Sequence, residues 1–268
     1  MKNHFFISYF GNKRKETPHI YQTFINDKRY DNISVIVEPF CGSCALSYYI
    51  STKEPRKYTY ILNDNNKHLI ELLKIAKSKR KLKKLSDQIN DIAKTLETEE
   101  GQPNTKQRHI YNNFIKDDGI VPWFIKNKIY NIRHGLFPNK YKYKYIDLES
   151  CPIVNFLRTE KVILTSKCGI DTLKKYHNKK DHMIFMDPPY LSACNDFYYD
   201  SKTNIYQYLF YNDINDMKAI IMLCLEKIWI IDLLFDTKNR KYHSYDKKYE
   251  VGKKRKTTHI IITNELDI

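Results

Sequence analysis

The sequence predicts an α/β fold, an open sheet interrupted by a long, lysine-rich helical insertion. Short runs of β-branched and apolar residues at positions 33–38, 58–62, 161–165 and 183–186 are typical of strands buried on both faces. Between the second and third of these runs, residues 68–96 carry apolar positions at helical spacing. The first, second and fourth runs end in turn residues, at the edge where open α/β sheets hold ligands.

Composition restricts the classes of partner. The chain has 268 residues, and its 46 Lys and Arg against 31 Asp and Glu leave a net charge of +15. A polyanion is therefore the expected partner, and nucleic acid is favoured over a membrane because no long uncharged apolar run occurs. We expect a monomer, and no partner protein is evident.

The cysteines and the N-terminus indicate an intracellular protein. The six cysteines are scattered, and Cys41 and Cys44 have a metal-like spacing without the second pair that a zinc site needs. We therefore expect reduced thiols and no metal. The apolar run at residues 5–7 is too short for a signal peptide. A cytoplasmic or nuclear location is expected, and a viral origin is open.

The first two predicted strands lead into ligand-binding turns. Residues 17–24, ahead of the first strand, show mixed helical periodicity. The strand at 33–38 runs through Pro39, Phe40 and Gly42 into a helix, an arrangement that presents helix N-terminal amides to a ligand. The second strand ends in an acid, Asp64, about 20 residues later, where nucleotide-binding sheets hold ribose hydroxyls. A flexible turn at residues 11–12, followed by three cations, suits a carboxylate or phosphate.

The insertion combines helices with a basic, aromatic segment. One long helix is predicted over residues 68–96 and another over 106–115. Rings and cations alternate about a glycine turn in residues 130–145, and a strand there would place Tyr on one face and Lys on the other. We predict that this segment contacts DNA phosphates and base edges; a solvated basic hairpin is the alternative. The predicted DNA-binding residues are Asn131, Arg133, Lys140, Lys142 and Lys144.

The fourth strand ends in the most informative motif of the chain, residues 187–190. The two prolines remove N–H donors, so the Asp187 carboxylate and the Pro188 carbonyl are left as acceptors for a planar amine. Tyr190 offers a ring on which a flat heterocycle could stack. The motif therefore predicts a clamp for a nucleobase amine, although Asp-Pro-Pro also ends strands in ordinary turns.

The C-terminal third is predicted to complete the sheet. Residues 191–211 form a tyrosine-rich loop that could cover a bound base, residues 213–225 are predicted to be a helix, and residues 228–231 a buried strand. A last strand, ending at Asn264, follows a basic hairpin.

Taken together, these motifs resemble the Dam-like class of DNA adenine-specific methyltransferases, over nearly the whole chain. Four motifs occur in that family's order: Tyr9-Phe10-Gly11-Asn12-Lys13, Val37-Glu38-Pro39-Phe40-Cys41-Gly42, Asn63-Asp64-Asn65 and Asp187-Pro188-Pro189-Tyr190. Residues 130–137 and 254–264 resemble the family's recognition hairpin and C-terminal strand. Where the family usually carries a second glycine in its first turn, this chain has Cys44.

The resemblance implies a fold, an activity and a set of site residues. It implies a Rossmann-like, S-adenosylmethionine-dependent methyltransferase sheet in residues 1–66 and 160–268, with a mostly helical target-recognition insertion at 67–159. The implied cofactor-binding residues are Tyr9, Lys13, Phe40, Gly42, Asp64 and Asp187. The implied catalytic residues are Asp187, Pro188, Pro189 and Tyr190. Methyl transfer to the exocyclic amine of an adenine flipped out of double-stranded DNA is expected; a catalytically weakened or inactive relative that acts as a DNA-binding protein and an RNA adenine methyltransferase are the alternatives.

Overall fold

The chain forms two compact units. The computed structural model describes residues 5–6, 13–100, 104–129, 140–190, 205–206, 208–209, 212–235, 240–249 and 255–264. Residues 13–66 and 160–268 make up one unit, called here the sheet unit, and residues 1–12 and 67–159 make up the other, called the helical unit. Within the helical unit, the Lys128 ammonium donates to the backbone carbonyl of Phe6 at 3.2 Å.

The sheet unit contains a seven-stranded, Rossmann-like sheet, which confirms the predicted fold class. Its strands are β1 (Val35–Glu38), β2 (Thr59–Asn63), β3 (Lys161–Thr165), β4 (His182–Met186), β5 (Ile220–Glu226), β6 (Arg240–Tyr249) and β7 (Arg255–Asn264). Their order is β3-β2-β1-β4-β5-β7-β6. Neighbours from β3 to β5 are parallel, while β7 runs antiparallel to both β5 and β6. The strand order reverses between β1 and β4, the point at which such sheets bind ligands.

Helices cover the sheet and fill the second unit. They are α1 (Thr17–Ile25), α2 (Ala45–Lys53), α3 (Lys67–Ala76), α4 (Lys79–Thr95), α5 (Thr105–Phe114), α6 (Ile120–Ile129), α7 (Ile153–Thr159), α8 (Gly169–Tyr176) and α9 (Trp229–Leu234). Helices α3 to α7 belong to the helical unit. No helix among the described residues is both long enough and apolar enough to cross a bilayer.

The long helix predicted over residues 68–96 is wrong in one respect, because it is two helices. Ser78 separates α3 from α4 with an extended backbone, and its side chain accepts a hydrogen bond from the Lys81 N–H at 3.4 Å. Serine is a favoured N-cap because its side chain satisfies one of the helix's unpaired N–H donors. The apolar periodicity continues on both sides of the cap, which is why the pattern indicated one helix.

Two predictions in the C-terminal third are also wrong. The predicted helix at 213–225 is a short 3-10 turn (Ile214–Asp216) followed by β5, and the predicted strand at 228–231 begins helix α9. Every residue of β5 is buried. A strand buried on both faces shows no alternation and cannot be told from a buried helix by periodicity. Trp229, expected in a buried strand, is 74% exposed.

Candidate active site

The strand register brings three predicted site residues to the same edge of the sheet. Val37 pairs with Ile184 of β4, and Glu38 pairs with Leu62 of β2. Asp64 directly follows β2 and Asp187 directly follows β4, so the two acids lie at the carboxyl edge on either side of β1, which leads into Phe40 and Gly42. Because adjacent strands lie about 4.8 Å apart, Asp64 and Asp187 should be separated by about 10 Å, with the glycine turn between them.

The glycine turn and Asp64 form one hydrogen-bonded structure. Gly42 has φ 47°, a left-handed conformation that favours glycine. Its N–H donates to Asp64 Oδ2 at 2.9 Å, and the Asn66 N–H donates to Asp64 Oδ1 at 2.9 Å. Burial raises the pKa of Asp64, and the two backbone donors oppose that shift. Each carboxylate oxygen keeps a lone pair for a ligand hydroxyl.

Cys44 occupies a position where a glycine would be easier to place. It precedes α2 with φ 59° and ψ 33°, in the left-handed region, and is completely buried. This conformation costs a non-glycine residue about 1–2 kcal/mol. Its Sγ lies 3.8 Å from the Gly42 carbonyl, so the thiol faces back into the turn. The geometry explains the glycine of the resembling family and shows that this chain makes the same turn with a small side chain.

Glu38 stabilises the glycine turn by capping the helix that follows it, a role that the sequence did not reveal. Its Oε1 accepts from the Ser47 backbone N–H at 3.0 Å and from the Ser47 hydroxyl, so the last residue of β1 caps the first turn of α2. Burial raises the pKa of Glu38 to about 7, despite the hydrogen bonds from Ser47. An acid that ends a buried strand just before a small-residue turn was the available signal.

Gly169 is a second residue that the sequence reasoning missed. A Cβ atom at this position would lie 2.4 Å from Cε1 and Cζ of Phe40. The Phe40 ring therefore packs directly on the backbone at the start of α8, and only glycine leaves room for it. No local signal reveals this contact, because Phe40 follows β1 and Gly169 begins α8, and only the folded sheet brings them together.

Two donors surround the Asp187 carboxylate. The Lys13 ammonium lies 2.6 Å from Oδ2, and the Tyr190 hydroxyl donates to Oδ1 at 3.1 Å. Burial raises the pKa of Asp187, while the charge of Lys13 and its hydrogen bond oppose the shift. Burial by itself would lower the pKa of Lys13, but attraction to Asp187 more than offsets it and the pKa is raised. Lys13 is only 5% exposed, so the two charges form a desolvated pair.

Tyr190 is held by a polar pocket formed by β5 and β7. Its hydroxyl lies 3.3 Å from His259 Nδ1 and 3.7 Å from Cys224 Sγ. The Lys13 ammonium lies 4.9 Å from the centre of the Tyr190 ring. Pro188, which follows Asp187 in the chain, is buried. The Pro189 carbonyl accepts from the Tyr206 hydroxyl at 3.2 Å. The stacking role of Tyr190 stays a prediction.

The predicted DNA-binding lysines lie in an extended segment of the helical unit. Lys140, Lys142 and Lys144 are exposed, and Tyr141 and Tyr143 between them are partly buried. Exposed lysines therefore alternate with partly buried tyrosines along the segment. The segment is not a strand. Tyr9, Asn131 and Arg133 lie outside the described residues.

The two ends of the site suit two different ligands. One end suits a ligand that carries hydroxyls, and the other suits a ligand that carries an amine. Asp64 presents a carboxylate beside the glycine turn, and Asp187 presents another at the tip of β4. Among the residues that the structure describes, no cluster of three His, Cys, Asp or Glu is placed to hold a metal ion.

Comparisons with known proteins agree with this chemistry. Residues 9–133 match the family model of D12 class N6 adenine-specific DNA methyltransferases. The chain is also 25% identical, over 246 residues, to a type II methyltransferase, M.CviBI, of Paramecium bursaria Chlorella virus NC1A. That alignment spans 86% of this chain and 90% of the relative.

Solved structures give weaker similarities. A human methyltransferase 10 domain containing protein aligns over 95% of this chain and 82% of its own, at 10% identity and a TM-score of 0.40. A precorrin-6y C5,15-methyltransferase from Geobacter metallireducens GS-15 aligns over 97% and 94%, at 10% identity and a TM-score of 0.39. The fold assignment rests on the strand order of the sheet itself.

Proposed function

We propose how this chain, a Dam-like DNA methyltransferase specific for adenine, uses the carboxyl edge of its sheet for methyl transfer. The family implies S-adenosylmethionine as the methyl donor and DNA as the substrate. The observation that carries the proposal is the alignment of Asp64, the Gly42 turn and Asp187 at the switch point between β1 and β4.

The cofactor end of the site is the glycine turn. Asp64 would accept hydrogen bonds from the ribose hydroxyls, since its two backbone donors leave a lone pair on each oxygen. Gly42 and Phe40 would lie against the nucleoside, with Phe40 positioned by Gly169. When bound, S-adenosylmethionine supplies an electrophilic methyl group on a sulfonium. Tyr9 remains a proposed contact from its motif alone.

The substrate end of the site is Asp187 with the Pro188 carbonyl. Two hydrogen bonds from the adenine amine to these acceptors would orient the nitrogen lone pair toward the methyl group, so that positioning and electrostatics supply the catalysis. Transfer would replace the sulfonium's S–CH3 bond and one N–H bond of the amine by an N–CH3 bond, and the Asp187 carboxylate would accept the proton that the amine loses.

Lys13 keeps Asp187 in the form that this step needs. A buried carboxyl without a partner would take up a proton and become a donor, whereas the ammonium 2.6 Å away favours the carboxylate. We therefore assign Lys13 a role in setting the charge of Asp187, in addition to the contact with the cofactor that its motif implies.

The adenine must leave the duplex to reach this edge. Flipping a base costs a few kcal/mol, which stacking on Tyr190 would partly offset. The ring face that does not face Lys13 is the one proposed to receive the base. Lys140, Lys142 and Lys144 are proposed to contact the phosphates, and Asn131 and Arg133 the base edges.

The test is to identify the methylated product. The protein is incubated with methyl-labelled S-adenosylmethionine and duplex DNA of mixed sequence, and the DNA is then digested to nucleosides. We expect the label in N6-methyladenine. Label in cytosine, in added RNA or in protein, with unmodified adenine, would refute the proposal.

The role in the cell is a separate proposal. The type II relative comes from a chlorella virus, which supports a viral origin and pairing with a restriction nuclease. Long-read detection of modified adenines in DNA from cells expressing the protein would reveal the target site, and a short fixed recognition sequence is the expected result.

A further inference from the structure

Helix α4 of the helical unit carries a cationic surface that its own fold does not require. Leu82, Leu85 and Ile89 form its buried stripe. Lys79, Arg80, Lys83 and Lys84 are exposed; at 100° per residue Arg80 and Lys84 lie opposite the buried stripe, Lys83 lies at its flank, and Lys79 is exposed as the first residue of the helix. We call these four residues the basic face.

The position of the basic face is unfavourable for the helix itself. The four cations lie in the first two turns, where the positive end of the helix dipole favours acids, and α4 has no acid in its first turn. Lys79 with Lys83 and Arg80 with Lys84 are like-charged pairs at i, i+4 spacing, which repel. Among the described residues, the carboxylate paired with the basic face is Asp87, 3.8 Å from Lys83 and 55% exposed. A bound polyanion would relieve these repulsions.

The basic face belongs to the same helix that packs against a segment already proposed to contact DNA. The extended segment at residues 140–146 packs along the C-terminal half of α4, where the Tyr143 hydroxyl and the Ile146 N–H both donate to Asn90 Oδ1 at 3.0 and 2.8 Å. The segment with its exposed lysines thus lies beside the C-terminal half of α4, and the basic face lies in the first two turns of the same helix.

We propose that the basic face of α4 binds the phosphate backbone of the substrate duplex, as a sequence-independent anchor. This inference rests on the proposed DNA substrate and adds a contact surface to it. Phosphate contacts fix the orientation of a protein on a duplex but carry no sequence information, so the basic face sets affinity and its salt dependence and leaves target choice to other residues.

The test compares the salt dependence of binding in two matched variants. One replaces the basic face (K79Q/R80Q/K83Q/K84Q). The control removes the same charge from the amino edge of the sheet unit (K174Q/K175Q/K179Q/K180Q), where all four lysines are exposed. Duplexes with and without the methylated site are titrated by fluorescence anisotropy over a range of salt concentrations, and helix content and thermal midpoints are measured alongside.

We expect the first variant to lower the slope of log Kd against log salt by about 2 to 4, because each lost phosphate contact removes about 0.9. Its affinity at 0.1 M salt should fall at least about tenfold, equally for both duplexes. Its thermal midpoint should be unchanged or higher, since repulsion within α4 is removed. The control should keep the wild-type slope.

Several results would overturn the inference. They are a wild-type slope in the first variant, an equal loss of slope in the control, and a loss confined to the target duplex. A loss of binding to anionic vesicles or single-stranded RNA, with duplex binding intact, would overturn it as well. Failure of the wild-type protein to bind any DNA would instead remove the proposed function.

Discussion

The two edges of the sheet in the sheet unit treat carboxyl groups in opposite ways. At the amino edge, where the parallel strands begin, the pKa values of Glu54 and Asp181 are lowered. At the carboxyl edge, the pKa values of Glu38, Asp64 and Asp187 are raised. The carboxylates at the amino edge are therefore stabilised by hydrogen bonds from the protein, whereas those at the carboxyl edge are destabilised by burial.

The amino edge shows what a structural carboxylate looks like. Burial raises the pKa of Glu54, but hydrogen bonds from Lys57, Tyr30 and Tyr21 outweigh it, and the Tyr58 hydroxyl donates as well at 3.1 Å. Asp181 accepts from the Ser34 hydroxyl at 2.8 Å and lies 2.8 Å from His182 Nδ1. These donors come from the protein and stabilise the ionised form, so the charge of these carboxylates does not depend on a ligand.

The carboxyl edge shows the reverse. Burial is the largest cause of the raised pKa for Glu38, Asp64 and Asp187, and the protein's donors only partly oppose it. Perturbed carboxyls gathered at a ligand-binding edge are typical of functional sites. The comparison teaches that desolvation without full compensation, rather than the presence of an acid, distinguishes the site.

The largest expected effect contrasts the two acids that flank β4. Asp187→Ala should lower the methyl-transfer rate by at least about 100-fold, because an acceptor aimed at the reacting amine is lost. Asp181→Ala, at the other end of the same strand, should keep the rate within about twofold. Initial rates with labelled S-adenosylmethionine measure both; similar rates in the two variants would show that the edges do not differ in function.

The next effect is a pH dependence of stability from Glu38. Its folded pKa of about 7 lies above the unfolded value of 4.5, so its stabilising contribution is complete below pH 4.5 and is lost as the pH rises through 7. The difference in unfolding free energy between wild type and Glu38→Gln should therefore fall by about 3 kcal/mol over that interval. Urea titrations at several pH values measure this difference. A difference that does not change with pH would contradict the raised pKa of Glu38.

Glu54 should show the opposite dependence. Its folded pKa lies below the unfolded value, so its contribution is present above pH 4.5 and is lost as the pH falls through the folded pKa. Glu54→Gln should cost about 2 kcal/mol at pH 7, since donors lose a charged acceptor. The cost should shrink in acid, with methyl transfer per folded molecule unchanged. A large loss of activity at full stability would place function at the amino edge.

The smallest effect concerns two glycines. Gly169→Ala should cost about 1–3 kcal/mol and weaken cofactor binding several-fold, because the new Cβ displaces Phe40. In Gly119→Ala, the new Cβ would meet the Pro122 side chain at 3.4 Å, an ordinary contact, and stability should stay within about 0.5 kcal/mol. Thermal unfolding and cofactor titration distinguish them, and equal effects would show that Phe40 does not depend on Gly169.

The sequence predicted those parts of the fold that have a local sequence pattern. The first four strands and the turns that follow β1, β2 and β4 combine apolar runs with turn residues, and the structure brings Lys13, Phe40, Gly42, Asp64 and Asp187 to one edge. Over residues 213–231 local signals failed, because β5 is apolar on both faces and therefore has no strand alternation. The predicted last strand, ending at Asn264, is β7.

The residues that the sequence did not reveal act through non-local contacts. Gly169 matters because Phe40 packs on it, and His259 and Cys224 matter because β5 and β7 bring them to the Tyr190 hydroxyl. Cys44 stands where the resembling family usually has a glycine, and the structure shows that its buried thiol faces the Gly42 carbonyl. Such roles follow from the packed sheet and cannot be read from a single motif.

Calorimetric titration of the folded protein with S-adenosylmethionine tests the central claim most directly. We predict saturable heat from one site, and its loss in Asp64→Ala with the fold preserved by circular dichroism. The absence of heat in a folded wild-type sample would contradict a working cofactor site at this edge and would favour a non-catalytic DNA-binding protein.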